Sequence, residues 1–173
     1  MKSLWVLLAL LTAFITGCAS KENAFDERIL YQSNNIIVKT VDKAEKKEYQ
    51  EVSWQDSGNY DVEFEGVIKN STEVLVSGSK NENTVFLYKT ILEVEITDIN
   101  KGEDEKYAVG KTVKVLTGIS SRYEYENCPD IEEGKKYSIK ALDAIKTPEE
   151  IMEIEGYSDC YITNPVLNLK RIE

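Results

Sequence analysis

At 173 residues, 42% of them apolar and 30% charged, the chain is long enough for one domain with a sizeable core. A formal charge of −10 leaves no basic footprint, which argues against nucleic-acid binding and against charge-driven contact with anionic lipid. The sequence contains no histidine, so the commonest general base, the Ser/His/Asp arrangement and most catalytic zinc sites are removed from consideration.

The first 17 residues have the parts of an export signal: a positive start at Lys2, an uncharged apolar run from Leu4 to Ile15, and small residues at its end. A run of about 12 residues is roughly 18 Å long as a helix, too short for the ~30 Å hydrocarbon core of a bilayer. Ile15, Thr16, Gly17 and Cys18 resemble the lipobox of bacterial lipoproteins. In that family the cysteine thiol receives a diacylglycerol and a peptidase cuts just before it. The resemblance implies that residues 1–17 are a lipoprotein signal peptide and that Cys18 is the lipid-bearing mature N-terminus. The implied location is extracytoplasmic, on the cell membrane, with palmitate-type acyl chains as anchor. Ala19 after the cysteine, where Asp would retain the protein, permits the outer membrane in a two-membrane host.

Residues 18–58 are polar and are expected to form a tether, with 19–34 lifting the domain off the membrane and the interleaved charges of 42–51 forming a short solvated helix. Ile36, Ile37 and Val38 make a small apolar patch between them. From Tyr60 the pattern turns to strands. Val62, Phe64, Gly66 and Ile68 alternate with acidic residues, a period of two that puts one face in a core. Asn70, Ser71 and Thr72 are expected to turn the chain before Val74–Val76 resume. Thr84–Ile99 is the longest strand, of a length that bends across two parts of a barrel. Asn100, Lys101 and Gly102 carry turn chemistry, and Lys111–Thr117 and Lys135–Leu142 are further strands. Thr147-Pro148-Glu149-Glu150 is a capping box with Pro at the first helical position, and Ile151 and Ile154 supply an apolar stripe before Gly156. Cys160–Ile172 is ambiguous between strand and short helix. These spacings predict a mainly β fold, a small five-stranded OB-type barrel over 59–173 with one or two short helices.

The segment from Asp61 to Leu142 resembles the netrin-like module, the OB-type barrel of the tissue inhibitors of metalloproteinases and related bacterial lipoproteins. Three stretches carry the likeness: Val62–Val67; Tyr88–Gly102 followed by Gly110–Val115; and Asn127–Ile139, with Cys128, Gly134 and Tyr137 in a Cys, Gly, Tyr pattern. Cys160–Pro165 is similar to the family's late cysteine followed by a proline. Those inhibitors chelate zinc through the amine and carbonyl of a disulfide-bonded N-terminal cysteine. Here Cys18 carries lipid, so the resemblance implies the fold and not metalloproteinase inhibition.

With Cys18 acylated, Cys128 and Cys160 allow one pairing, in a compartment that permits disulfides; two free thiols are the alternative. A bridge would close a loop of about 32 residues, stabilising by ~3–4 kcal/mol in the chain-entropy treatment. Ser120 and Ser121, beside Arg122, read as loop residues rather than nucleophiles. Glu63, Glu65, Glu93 and Glu95 read as a solvated strand face. The acidic loops Glu103-Asp104-Glu105 and Asp130, Glu132, Glu133 lack EF-hand spacing and read as exposed turns. Tyr123 and Tyr125 are the candidates for a binding patch at one mouth of the barrel. The expectation is a membrane-tethered, non-enzymatic binding or interaction module without metal or cofactor, binding a protein or small molecule. An accessory subunit of an envelope assembly or transporter is the alternative, and a carboxylate-based hydrolase a third.

Overall fold

A computed structural model of the protein describes residues 27–33, 36–45, 47–49, 52, 54, 58–80, 83–144 and 158–173. Cys18, the signal segment and the capping box at Thr147 lie outside the described residues. Among the described residues the strands are β1 (Ile29–Gln32), β2 (Ile36–Thr40), β3 (Glu48–Tyr49), β4 (Val62–Lys80), β5 (Asn83–Lys101), β6 (Thr112–Thr117), β7 (Tyr123–Glu124), β8 (Lys136–Asp143), β9 (Cys160–Ile162) and β10 (Leu169–Arg171), with a short helix, α1 (Pro165–Asn168). Among the described residues no helix is long and apolar enough to cross a membrane.

Eight strands form one mixed sheet in the order β1-β2-β4-β5-β6-β9-β8-β10, and β4 also pairs with β8. That second pairing closes a five-strand hydrogen-bonded ring, β4-β5-β6-β9-β8, antiparallel throughout except for the parallel β6–β9 pair. Its interior holds the main core, including Phe64, Ile68, Leu92, Val94, Val115, Tyr137 and Ile139, all fully buried. Phe64 stacks against Tyr107 with ring centroids 6.4 Å apart. At Gly66 β4 lies tightly against β5: an added Cβ would lie 2.5 Å from Val94 Cγ1 and 2.7 Å from the Glu95 carbonyl oxygen. Only glycine fits there without displacing the neighbouring strand.

Asn70–Thr72 does not turn the chain. β4 runs through it, with a register shift between Ile68 and Asn70. One extra residue on a strand reverses which side chains face which way. Even-numbered Val62, Phe64 and Ile68 fill the ring, whereas beyond the shift Val74 and Val76 join a second core with Ile36, Val38, Ile91, Leu116 and Tyr161. Ser71 is held at the shift by Glu133, whose Oε1 accepts from its amide (3.0 Å) and its hydroxyl (2.8 Å).

Two corrections concern the polar N-terminal stretch. The apolar patch at 36–38 is a sheet strand, β2, paired with β4 and with β1, so part of the expected tether belongs to the fold. Within 42–51, expected as a helix, Glu48–Tyr49 is a strand pairing in parallel with β7. The ambiguous Cys160–Ile172 segment proves to be both kinds of structure. Asn164 caps α1 by accepting from the Leu167 amide, with Pro165 at the first turn, and strands flank it on both sides.

Candidate functional site

Beyond the ring, β4 and β5 continue together as a two-strand extension to which β2 and β1 add. Where the ring opens onto this extension, Glu73 and Thr90 lie opposite each other, and the loop that follows β6 folds across them. Glu73 is 2% exposed, and that loop satisfies its carboxylate. Ser120 Oγ donates to Oε1 and the Ser121 amide donates to Oε2 at 3.0 Å. Thr90 Oγ1 gives its shorter hydrogen bond, 2.8 Å, to the Ile119 carbonyl. A buried carboxylate is tolerated only when hydrogen bonds replace its lost hydration, and here two loop donors do so.

The loop thus fixed roofs a cleft of about 500 Å³, the size of a small-molecule site. Lys43, Ser71, Tyr123, Tyr125 and Cys128 are among its walls. A second hollow of about 690 Å³ shares Lys43, Ser71 and Glu73 with it. The polar segment before β3 is tied over the site: the Ala44 amide donates to Ser121 Oγ (2.9 Å), Lys43 Nζ to Ser71 Oγ (2.7 Å), and the Glu48 amide to the Arg122 carbonyl (2.8 Å). Arg122 stacks on Tyr88, 4.3 Å from the ring centroid, and its Nη2 donates to the Asp42 carbonyl. Its Nε is buried and finds no hydrogen-bond partner among the described residues.

The two tyrosines singled out by sequence are brought together. Their rings are 6.0 Å apart at 68°, and Tyr125 is 5.6 Å from Trp54. Trp54 packs on Gly118, leaving no room for a Cβ there. Burial pushes the Tyr125 hydroxyl up to about 12, and its proton is donated to the Gly118 carbonyl. Tyr123 is half-buried on the cleft wall.

The expected Cys128–Cys160 bridge is not formed, and both are free thiols. β9 carries Cys160 into the ring's interior core, whereas Cys128 sits in the loop at the cleft, so the sulfurs face different surroundings. Burial raises both thiols; for Cys128 a hydrogen bond from Trp54 opposes the effect. Glu63, Glu65 and Glu95 make cross-strand ion pairs with Lys140, Lys136 and Lys69. Asp104 accepts from the amides of Lys106 and Tyr107, closing its turn. Glu132 pairs with Arg171, and Ser71 holds the Glu133 carboxyl below the usual range. Among the described residues no group of three or more histidine, cysteine or acidic side chains is placed to hold a metal ion.

Sequence reasoning missed Glu73 and Lys43. A single acid between Thr72 and Val74 carries no signal until the register shift turns it inward. No protein-family model matches this chain, and neither a curated protein nor a solved structure is detectably similar to it.

Proposed function

We propose that this protein is a bacterial lipoprotein, held outside the cytoplasm by diacylglycerol on Cys18, whose ring is a netrin-like, OB-type barrel acting as a non-enzymatic binding module. The observation that carries this reading is the cleft at the mouth of the ring, walled by Tyr123 and by Tyr125, which Trp54 backs, on a loop pinned by Glu73. Rigid aromatic side chains on a preorganised loop supply contact area at little entropic cost, which suits recognition. The closed order β4-β5-β6-β9-β8 supports the OB-type assignment, because OB barrels have five strands and bind through a strand face and adjoining loops.

The address is tested by intact mass of protein extracted from membranes. Cleavage before Cys18 with a diacylglyceryl adduct is expected, and an unmodified thiol or cleavage elsewhere overturns it. The site is tested by comparing wild type with the Tyr123→Ala/Tyr125→Ala double variant in pull-downs from native membranes and in ligand-dependent melting. A partner or ligand retained at full affinity by a folded double variant removes the cleft from the reading. A stoichiometric membrane-protein partner, lost in the variant, makes the module an accessory subunit.

A further inference from the structure

The extension of β4 and β5, widened by β2 and β1, has one face packed around Val38, Val74 and Val76, with Leu87 at its margin 40% exposed, and an opposite face that is more open. Val38 and Val76 point into the second core. On the opposite face cross-strand neighbours form two rows: Ile37, Ser77 and Phe86 in one, Ile29, Lys39, Leu75 and Tyr88 in the other. Ile29 and Phe86 are 61% and 62% exposed and Ile37 is 37% exposed. Contiguous large apolar side chains on an open sheet face mark a contact surface rather than a solvated one.

Where the chain leaves the described structure decides what covers this face. Glu27 lies on it, ion-paired with Lys39 at 2.8 Å, and shares a hollow with Leu75, Tyr88 and Arg122. From Cys18 to Glu27 there are nine residue steps, which span at most ~32 Å. The four strands together are only about 15 Å wide, so the whole patch lies within reach of the membrane on that tether. The charged residues of that hollow, Glu27, Asp42, Lys39 and Arg122, cancel, although the whole chain carries −10. An electrically neutral, apolar surface at the root of the tether suits a lipid headgroup layer, where an acidic face would be repelled from anionic lipid.

We propose that the open sheet face carrying Ile29, Ile37, Leu75, Phe86 and Tyr88 rests on the bilayer that anchors Cys18, fixing the orientation of the domain with its cleft loop beside the membrane. The proposal rests on the reading of Cys18 as the lipidated residue. Three full-length variants, Phe86→Trp, Ile29→Trp and, in the turn before β6 at the ring's other end, Val109→Trp, are purified from membranes and reconstituted in vesicles of phosphatidylcholine or its brominated analogue. Once the signal is removed, Trp54 is the only native tryptophan and is present in every sample as background. Blue-shifted emission that brominated lipid quenches is expected at positions 86 and 29 and not at 109. Two reporters on the face keep the test valid if one substitution disturbs the fold. Lipidated protein showing no quenching at either reporter overturns this proposal and leaves the anchor intact. Equal quenching at 109 overturns it as well, since the domain would then have no preferred face. A blue shift without quenching, accompanied by doubling of the sedimenting mass in detergent, assigns the face to a second copy and also overturns it. Absence of the diacylglyceryl adduct in the intact mass overturns the anchor and this proposal together.

Discussion

Replacing Glu73 separates the two jobs of its carboxylate, tolerating burial and holding the loop that roofs the cleft. In Glu73→Ala the Ser120 hydroxyl and the Ser121 amide lose their acceptor where the side chains are almost wholly buried, Ser120 being 1% exposed and Glu73 2%. A buried donor left without a partner costs about 1–3 kcal/mol, and two of them, offset by relief of carboxylate desolvation, give a net loss of about 3 kcal/mol. Glu73→Gln keeps the shape. Its amide oxygen must face the Ser121 N–H, because a backbone amide cannot accept, and this turns the NH2 group toward Ser120 Oγ, which already accepts from the Arg122 amide at 3.1 Å. One charge-assisted bond is lost and one kept, for a net loss of about 1–2 kcal/mol. Urea unfolding followed by Trp54 fluorescence measures both, with the slope m required to stay constant. The order wild type, Gln, Ala is the signature of the proposed arrangement. An alanine variant within about 0.5 kcal/mol of wild type would falsify it, because surface substitutions have effects of that size.

Three further outcomes are expected. Phe64→Ala empties a fully buried site stacked on Tyr107 and costs about 3–5 kcal/mol, whereas Phe86→Ala on the open face stays within about 0.5 kcal/mol in detergent; comparable losses would show that the core assignment is wrong. Alkylation in denaturant without reductant modifies both Cys128 and Cys160, and recovery of an unmodified pair would restore the disulfide; in the native protein Cys128 reacts first and slowly, because burial keeps its thiol protonated, and Cys160 reacts only on unfolding. Tyr125 has a folded value raised from 10.0 to about 12, so its contribution is complete below pH 10 and is lost as pH climbs through 12. Tyrosinate absorbance should therefore rise together with loss of structure across that window, and titration of all tyrosines near pH 10 in folded protein would contradict it.

Strands buried on one face announced themselves in the sequence. Val62, Phe64 and Ile68 in β4, Leu92, Val94 and Ile96 in β5, and Val113 and Val115 in β6 alternate because one side of each faces the ring's interior. What period two does not reveal is an inserted residue. At Ile68–Asn70 the alternation changes phase, and polar residues at that point imitate a turn although backbone pairing with β5 continues. β2 escaped notice for a different reason. Its Ile36, Ile37 and Val38 are contiguous, with Val38 buried and Ile37 37% exposed, so no alternation stands out. The charged stretch before Tyr49 has helical charge spacing, yet the nearby loop offers it strand pairing and two anchors, Ser121 and the Arg122 carbonyl, and β4 offers a third, Ser71, so tertiary contact overrides local preference.

The site was legible only where a residue's type was unusual for its setting. Tyr123 and Tyr125 stand out as aromatics in a polar loop, and they meet on the cleft wall. Glu73 has the opposite character: an ordinary acid in an ordinary strand, made special by the phase change four residues before it and by two serines that lie 47 and 48 positions away. Those serines read as turn residues, and in the fold they are the donors that permit a buried charge. The same phase change that turns Glu73 inward leaves Leu75 and Ser77 on the open face beside Ile37 and Phe86. One inserted residue in β4 therefore builds both the floor of the cleft and the surface at the root of the tether. Deleting Lys69, the residue of β4 left without a partner on β5, should move both at once: Glu73 turned away from Ser120, and Val74 and Val76 brought to the open face in place of Leu75 and Ser77.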